Sequence, residues 1–223
     1  MTAIGLPAAR VVALGLLAAL VLPVTAQATT VRAQADECAL RSPDCVAELN
    51  IKYAPGERND MSVRPDGAGI VVTDAAAPLV ADRNCVRRED GSVRCELTGR
   101  PFTQVLIETG DAADVVRVSL PAVDLVEARL GDGDDRFEGE AKEVSGIGLD
   151  GDDVLVVVGG VGRLDGRVGA DVLLGGPDGD RELRGGPGRD RISGGPGDDV
   201  LVGADGDFDG FDDTEAPAAD DLD

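Results

Sequence analysis

Histidine and tryptophan are absent from the chain, tyrosine occurs once and phenylalanine four times. Without histidine there is no Ser-His-Asp or Cys-His catalysis, and zinc hydrolase sites lose their commonest ligand. Paired carboxylates could still serve glycoside hydrolysis, but almost no aromatic ring is left to stack on a sugar. The expectation is that the protein is not an enzyme. Positive charge is scarce as well: 21 Lys and Arg against 43 Asp and Glu give a net charge of −22. A chain so acidic repels nucleic acid and anionic membranes, and it repels itself when compact. Divalent cations relieve that repulsion. Beyond the N-terminus no apolar run is long enough to cross a bilayer, so no stable membrane insertion is expected.

The N-terminus carries Arg10, an apolar run from Val11 to Leu22, and the small-x-small sequence Ala26-Gln27-Ala28. This pattern reads as a secretory signal over residues 1–28, with Ala33-Gln34-Ala35 a second cleavage candidate. A membrane anchor is the competing reading, but the run falls short of the ~20 residues that a span needs. No cysteine follows either cleavage site directly, which argues against a lipoprotein. The protein is therefore expected to be secreted and extracellular. There, the four cysteines, in the close pairs Cys38/Cys45 and Cys85/Cys95, read as disulfides. Of three possible pairings the two local ones are favoured. Metal ligation is the alternative, but the spacing is not Cys-x-x-Cys and no histidine completes a site.

Glycine and aspartate, in contrast, recur with a fixed period. Gly185–Val202 reads GGPGRDRIS and then GGPGDDVLV, two nonapeptides of the form Gly-Gly-x-Gly-x-Asp-x-apolar-x. Glycine accepts positive φ, so such a run turns tightly and exposes carbonyl oxygens. The Asp at the sixth position adds a charged oxygen beside them. Ca²⁺ is a hard ion that takes six to eight oxygens, carboxylate and carbonyl alike. The apolar residue at the eighth position points inward from a short extended segment, and stacking builds a core that one repeat alone does not bury.

The register of nine runs back from Asp199 through Asp190, Asp180, Asp171, Gly162, Asp153 and Val144 to Asp135. Fourth positions are Gly197, Gly188, Gly169, Gly160, Gly151 and Gly133, and second positions of the last two repeats are Gly195 and Gly186. The inward eighth positions are Leu201, Ile192, Leu173, Leu164, Leu155 and Phe137. The step from Asp180 to Asp190 is ten, so GGPDGDRELR holds one extra residue. If that residue is Asp178, Leu183 takes the inward position and Asp180 moves to the fifth. A Gly/Asp-rich disordered segment is the alternative reading, but it has no reason to keep apolar residues in phase with the glycines.

Over about residues 130–210 the chain resembles the RTX, or hemolysin-type calcium-binding, family. The resemblance implies a parallel β-roll with Ca²⁺ as its ligand and two nonapeptides per turn. It places Asp135, Asp153, Asp171 and Asp190 on one edge and Asp180 and Asp199 on the other. The second edge is empty at Val144 and Gly162, so it is complete only toward the C-terminus.

Residues 36–107 contain no nonapeptide. Alternating or β-branched runs at 49–53, 61–64, 70–73 and 105–107 read as strands, separated by turns such as Pro55-Gly56 and Asp90-Gly91. The Cys85–Cys95 segment reads as a hairpin tied at its base. With the acidic run Gly131–Asp135 after it, the layout is similar to secreted actinobacterial calcium-binding proteins. Gly110-Asp111-Ala112-Ala113-Asp114 is a degenerate repeat, and Asp114 stands 21 residues before Asp135, out of step with nine. Residues 109–130 are read as opening rungs of the solenoid without bound calcium, with 36–107 as a β-rich region or cap. Asp205–Gly210 has the Asp-x-Asp-x-Asp-Gly start of an EF-hand loop, but Ala216 stands where the closing Glu belongs. It is either a looser calcium loop or a last, decayed repeat. The roll is assigned to 109–213, and 214–223 is an acidic, disordered tail.

The expected fold is thus all-β, a parallel β-roll preceded by a disulfide-containing β-rich region. The expected role is structural or adhesive, with an extracellular protein or the cell surface as partner. The alternative is a calcium-dependent accessory or secretion module acting with a secreted enzyme.

Overall fold

The computed structural model describes residues 28–35, 46–97, 99–203, 210–211 and 221–222. Residues 1–27, Cys38, Cys45 and Asp205–Asp209 lie outside these. Strands alone make up the regular structure of the described residues. In the first half they are β1 (Thr29–Ala35), β2 (Ala47–Lys52), β3 (Asp60–Asp66), β4 (Gly69–Asp74), β5 (Leu79–Asp82), β6 (Cys85–Arg87), β7 (Val93–Cys95), β8 (Gln104–Gly110) and β9 (Val115–Ser119). Then come β10 (Leu125–Asp132), β11 (Arg136–Asp150), β12 (Val154–Val168), β13 (Val172–Leu174), β14 (Glu182–Arg184), β15 (Arg191–Ser193), β16 (Val200–Val202), β17 (Gly210–Phe211) and β18 (Asp221–Leu222).

These strands stack as a two-faced solenoid. One face runs β2, β8, β10, the second halves of β11 and β12, then β14 and β16, each parallel to the next. The other runs β3, β9, the first halves of β11 and β12, then β13 and β15. β11 and β12 turn a corner midway and serve both faces. Beyond β15 and β16, the short β17 and β18 continue the two faces in parallel. Asp221–Leu222, within the segment expected to be a solvated tail, is therefore strand.

Each coil contributes one residue to each of two inward columns. Met61, Val116, Phe137, Leu155, Leu173 and Ile192 follow one another on one face. Ile51, Ile107, Ala128, Gly146, Leu164, Leu183 and Leu201 do so on the other. The apolar members are essentially without solvent exposure. Sizes compensate across the core: the Phe137 ring fills the space beside Gly146, where a Cβ would lie 3.0 Å from both Phe137 Cδ1 and Leu164 Cδ2. Close packing of this kind leaves no slack for an added methyl group.

The N-terminal strands continue the same stack. β2 and β3 form a coil in register with β8 and β9. The chain then leaves the solenoid for the antiparallel set β3–β4–β7–β6, tied at Cys85–Cys95. β1 closes the end, antiparallel to β2 and parallel to β5. An end covered in this way blunts the exposed edge that a repeat stack otherwise presents.

The extra residue between Asp180 and Asp190 is not Asp178, the candidate that the sequence offers. Arg181 N–H donates to Gly162 O and Val200 N–H to Asp180 O, so Asp180 keeps its level in the stack. Leu183 also pairs with Leu164 and is buried. Arg181 is the insertion: it bends out after the Asp, and its guanidinium reaches Glu143 at 2.6 Å. Both inward positions are preserved.

Where the other coils place a second-position glycine, Leu149 and Arg167 hold φ of +95° and +79°. Left-handed backbone costs a non-glycine residue about 1 kcal/mol. Leu149→Gly is therefore expected to raise stability by about 1 kcal/mol in urea denaturation at saturating calcium. Gly151→Ala is expected to lower it, because the new Cβ meets the Gly133 carbonyl at a φ of +141°.

Candidate metal centre

The Asp side chains of the repeats do not point to solvent. Asp135, Asp153, Asp171, Asp180, Asp190 and Asp199 are all at most 3 % exposed. Their backbone lies at the turn between the two faces, and each carboxylate folds back under the turn. One oxygen of each accepts the backbone N–H of the residue one coil earlier. Asp114 N–H donates to Asp135 Oδ1 at 2.7 Å, Asp135 N–H to Asp153 at 2.9 Å, Asp153 N–H to Asp171 at 2.9 Å and Asp171 N–H to Asp190 at 2.9 Å. On the opposite edge Gly162 N–H donates to Asp180 at 2.6 Å and Asp180 N–H to Asp199 at 2.7 Å. Val144, at the same level one coil before Gly162, is buried core.

The glycines make room for this. Gly148, Gly166, Gly175, Gly185 and Gly194, five residues before an Asp, lie with their Cα against its Oδ2, where any Cβ would collide. The fourth-position glycines form a second column: Gly151 lies on the carbonyl of Gly133, Gly169 on that of Gly151, and Gly188 on that of Gly169. Gly186 and Gly195 lie on the carbonyls of Arg167 and Gly176, and Gly197 on the backbone of Gly179. Carboxylate and carbonyl columns thus run side by side along each turn edge.

Oδ2 of Asp114, Asp135, Asp153 and Asp171 is buried with no hydrogen-bond partner, and among the described residues no Lys or Arg pairs with these four. Arginines instead pair with acids on the outer faces, as in Arg136–Glu138 and Arg184–Glu182. Desolvation pushes Asp135 and Asp153 up to about 7, with neighbouring carboxylates adding to it and the backbone donors opposing it. Asp171 and Asp180 rise to about 6 for the same leading reason. A buried anion without a counter-charge is costly, so these oxygens fit a cation.

The donor set fits a hard one. Among the described residues no three acidic or cysteine side chains converge on a point, so a cation held here would draw much of its coordination from backbone carbonyls. Calcium accepts that mixture. The family resemblance implies Asp135, Asp153, Asp171 and Asp190 on one edge and Asp180 and Asp199 on the other, and the structure brings the residues together in those two sets. Two further members join the first column: Asp114, read from the sequence as part of a degenerate repeat out of step with nine, and Asn59, which the sequence did not single out. Asp114 is fully buried in the first column, and Asn59 stands one coil before it, its N–H donating to Asp114 Oδ1 at 2.6 Å.

Residues 182–207 match the family model described as the RTX calcium-binding nonapeptide repeat (4 copies). Comparison with curated proteins and with solved structures gives no match. The repeats and the stacked parallel coils make this a calcium-binding β-roll.

The raised carboxylates set the pH response. Between about pH 4 and 7 the fold holds protons that the unfolded chain, with ordinary Asp values, has released. Calcium-free protein is therefore expected to have its higher urea midpoint at pH 5 and to lose that stability as pH rises through 7. With calcium, binding releases those protons, so apparent affinity rises over the same window. Asp153→Asn keeps the Oδ1 acceptor and removes the charge. In chelator at pH 8 it is expected to stabilise the fold, and at calcium ten times its Kd to cost about 1.4 kcal/mol through the lost site. Opposite signs in the two urea titrations are the expected result.

Proposed function

We propose that this is a secreted, non-enzymatic protein whose roll orders on meeting extracellular calcium and then serves as a structural or adhesive element outside the cell. The observation that carries the calcium-dependent step is the column of buried Asp oxygens without partners. Asp135, Asp153, Asp171 and Asp190 would hold the ions on one edge and Asp180 and Asp199 on the other, with the carbonyls of the glycine turns. Bound calcium would supply a positive charge at Asp135, Asp153 and Asp171, which no described Lys or Arg pairs. The residues do the remainder: the glycines admit the carboxylates, and the Asp backbones carry the ladder from coil to coil. At ten times Kd each site adds about 1.4 kcal/mol, so a few sites match a domain's whole net stability.

The extracellular reading rests on the signal-like N-terminus and on the Cys85–Cys95 bridge, since disulfides persist in oxidising compartments. No helix among the described residues is long and apolar enough to cross a membrane. A surface for contact is present on the roll. Val154, Val156 and Val158 on β12 adjoin Val172 and Leu174 on β13, all facing outward, with Val158 54 % exposed. Adjacent aliphatic rows on an otherwise charged outer face suit a protein or cell-surface partner.

Far-UV circular dichroism during calcium titration, with magnesium as control, tests the folding step. A cooperative gain of β signal with calcium alone is expected; a spectrum already complete in chelator would overturn it. Calcium-dependent pull-down from extracellular material tests the role. Retention of cell-surface or matrix components is expected, whereas a stoichiometric secreted enzyme would replace the structural reading with an accessory one.

A further inference from the structure

The first-edge ladder does not stop where the nonapeptides stop. Asp114 lies outside them, 21 residues before Asp135, yet its place in space is that of a repeat Asp. The three additional residues are absorbed at the opposite corner. Ser119 pairs with Glu140 and Leu125 with Glu143, so residues 120–124 span what 141–142 span one coil later. The turn on the Asp edge keeps its length: Gly110 to Asp114 matches Gly131 to Asp135, and Gly110 pairs with Gly131.

The carboxylate geometry of the repeat sites recurs in this turn, with Thr109 and Ala112 standing where most repeat turns place glycine. Asp114 is fully buried, its N–H donates to Asp135 Oδ1, and its own Oδ1 accepts Asn59 N–H at 2.6 Å and Asn59 Nδ2 at 3.2 Å. Its Oδ2 has no partner. The nearby Thr109 hydroxyl gives its proton to Leu130 O at 2.6 Å. The carbonyl column also continues, since a Cβ on Gly133 would lie 2.7 Å from Ala112 O. The hydrogen bonds alone do not call for a charge here. One coil earlier the same column holds Asn59, an amide, whose Oδ1 accepts from Thr29 Oγ1 at 2.9 Å and whose Nδ2 donates to the Glu57 and Thr109 carbonyls. Asn at 114 would serve every bond that Asp114 makes, so the buried carboxylate is surplus to the fold unless a cation meets it.

We propose that Asp114 and the Ala112 turn form a further calcium site, outside the nonapeptide repeats, which carries the calcium ladder into the N-terminal coil. This rests on the calcium reading of the repeats. Its consequence is that β2 and β3, joined to this turn through Asn59, are ordered by the same ion as the roll.

The chain holds its own reporter for this site. Tyr53 is the only tyrosine, tryptophan is absent, and the Tyr53 ring lies on Gly110, with Cδ2 2.6 Å from where a Cβ would stand. Tb³⁺, an oxygen-seeking substitute for Ca²⁺, emits when excited through a neighbouring aromatic ring. Titrating the full mature protein with Tb³⁺ is expected to give Tyr53-sensitised emission that excess Ca²⁺ displaces and Tyr53→Phe removes. Asp114→Asn, checked for folding by circular dichroism in calcium, is expected to lose most of that emission and to bind one ion fewer by native mass spectrometry. Asp153→Asn, farther along the column, is expected to lose one ion and keep the emission. Emission that survives Asp114→Asn, or that disappears in Asp153→Asn, overturns the site, and the second holds even if Asp114→Asn does not fold. A chain in which Asp153→Asn lowers the ion count and Asp114→Asn does not retains its repeat sites and lacks this one. Wild type that binds no calcium loses both.

Discussion

Along one edge of the molecule each aspartate is held by the backbone N–H of the aspartate one coil before it. The rest of the structure depends on this bond. It ties the coils together at the turns, where the parallel ladders of the two faces end. It also draws the carboxylate under the turn and out of water, leaving the second oxygen buried without a donor at four successive levels. A side chain placed this way serves as a hydrogen-bond acceptor toward the protein and as an uncompensated anion toward a cation. The first role makes the stack regular; the second makes its stability conditional.

The glycines follow from the carboxylates. From Asp153 onward each inward Asp has a glycine five residues earlier against its Oδ2, and stacked turns need Cα atoms bare enough to rest on the carbonyl below. Charge is partitioned accordingly. Arginines and glutamates cancel one another in rows on the outer faces, where exposed pairs contribute little. The edge carboxylates of Asp114, Asp135, Asp153 and Asp171 have no such partner. A net charge of −22 is therefore not spread evenly: much of what calcium would offset lies in columns where burial makes the repulsion strongest.

A solenoid tolerates irregular coils as long as each returns to register. Arg181 bulges outward without disturbing Asp180 or Leu183, and the long corner at 120–124 leaves the Asp114 turn unchanged. Core size varies in the same way, with Phe137 filling the place that Gly146 leaves open. Because the ladders and the core join each coil to the next, such corrections are local.

The sequence by itself determined the period, the inward residues of the repeats and the repeat aspartates, because glycine, Asp and an apolar residue at fixed spacing each answer a separate steric or chemical demand; their division between two edges came from the family resemblance. Phe137, Leu155, Leu173 and Ile192 could be counted off in nines, and the Cys85–Cys95 hairpin was legible from its turn. Only the tertiary structure decided what counting does not reach. Asp114 was out of step in number but in step in space, since extra residues at one corner do not shift the opposite one. The seat of the insertion at Arg181 depended on which hydrogen bonds survive, and composition carries no record of that. Asn59 gave no signal at all, because its place in the column comes from pairing at a sequence separation of 55, and such pairing exists only once the coils are stacked.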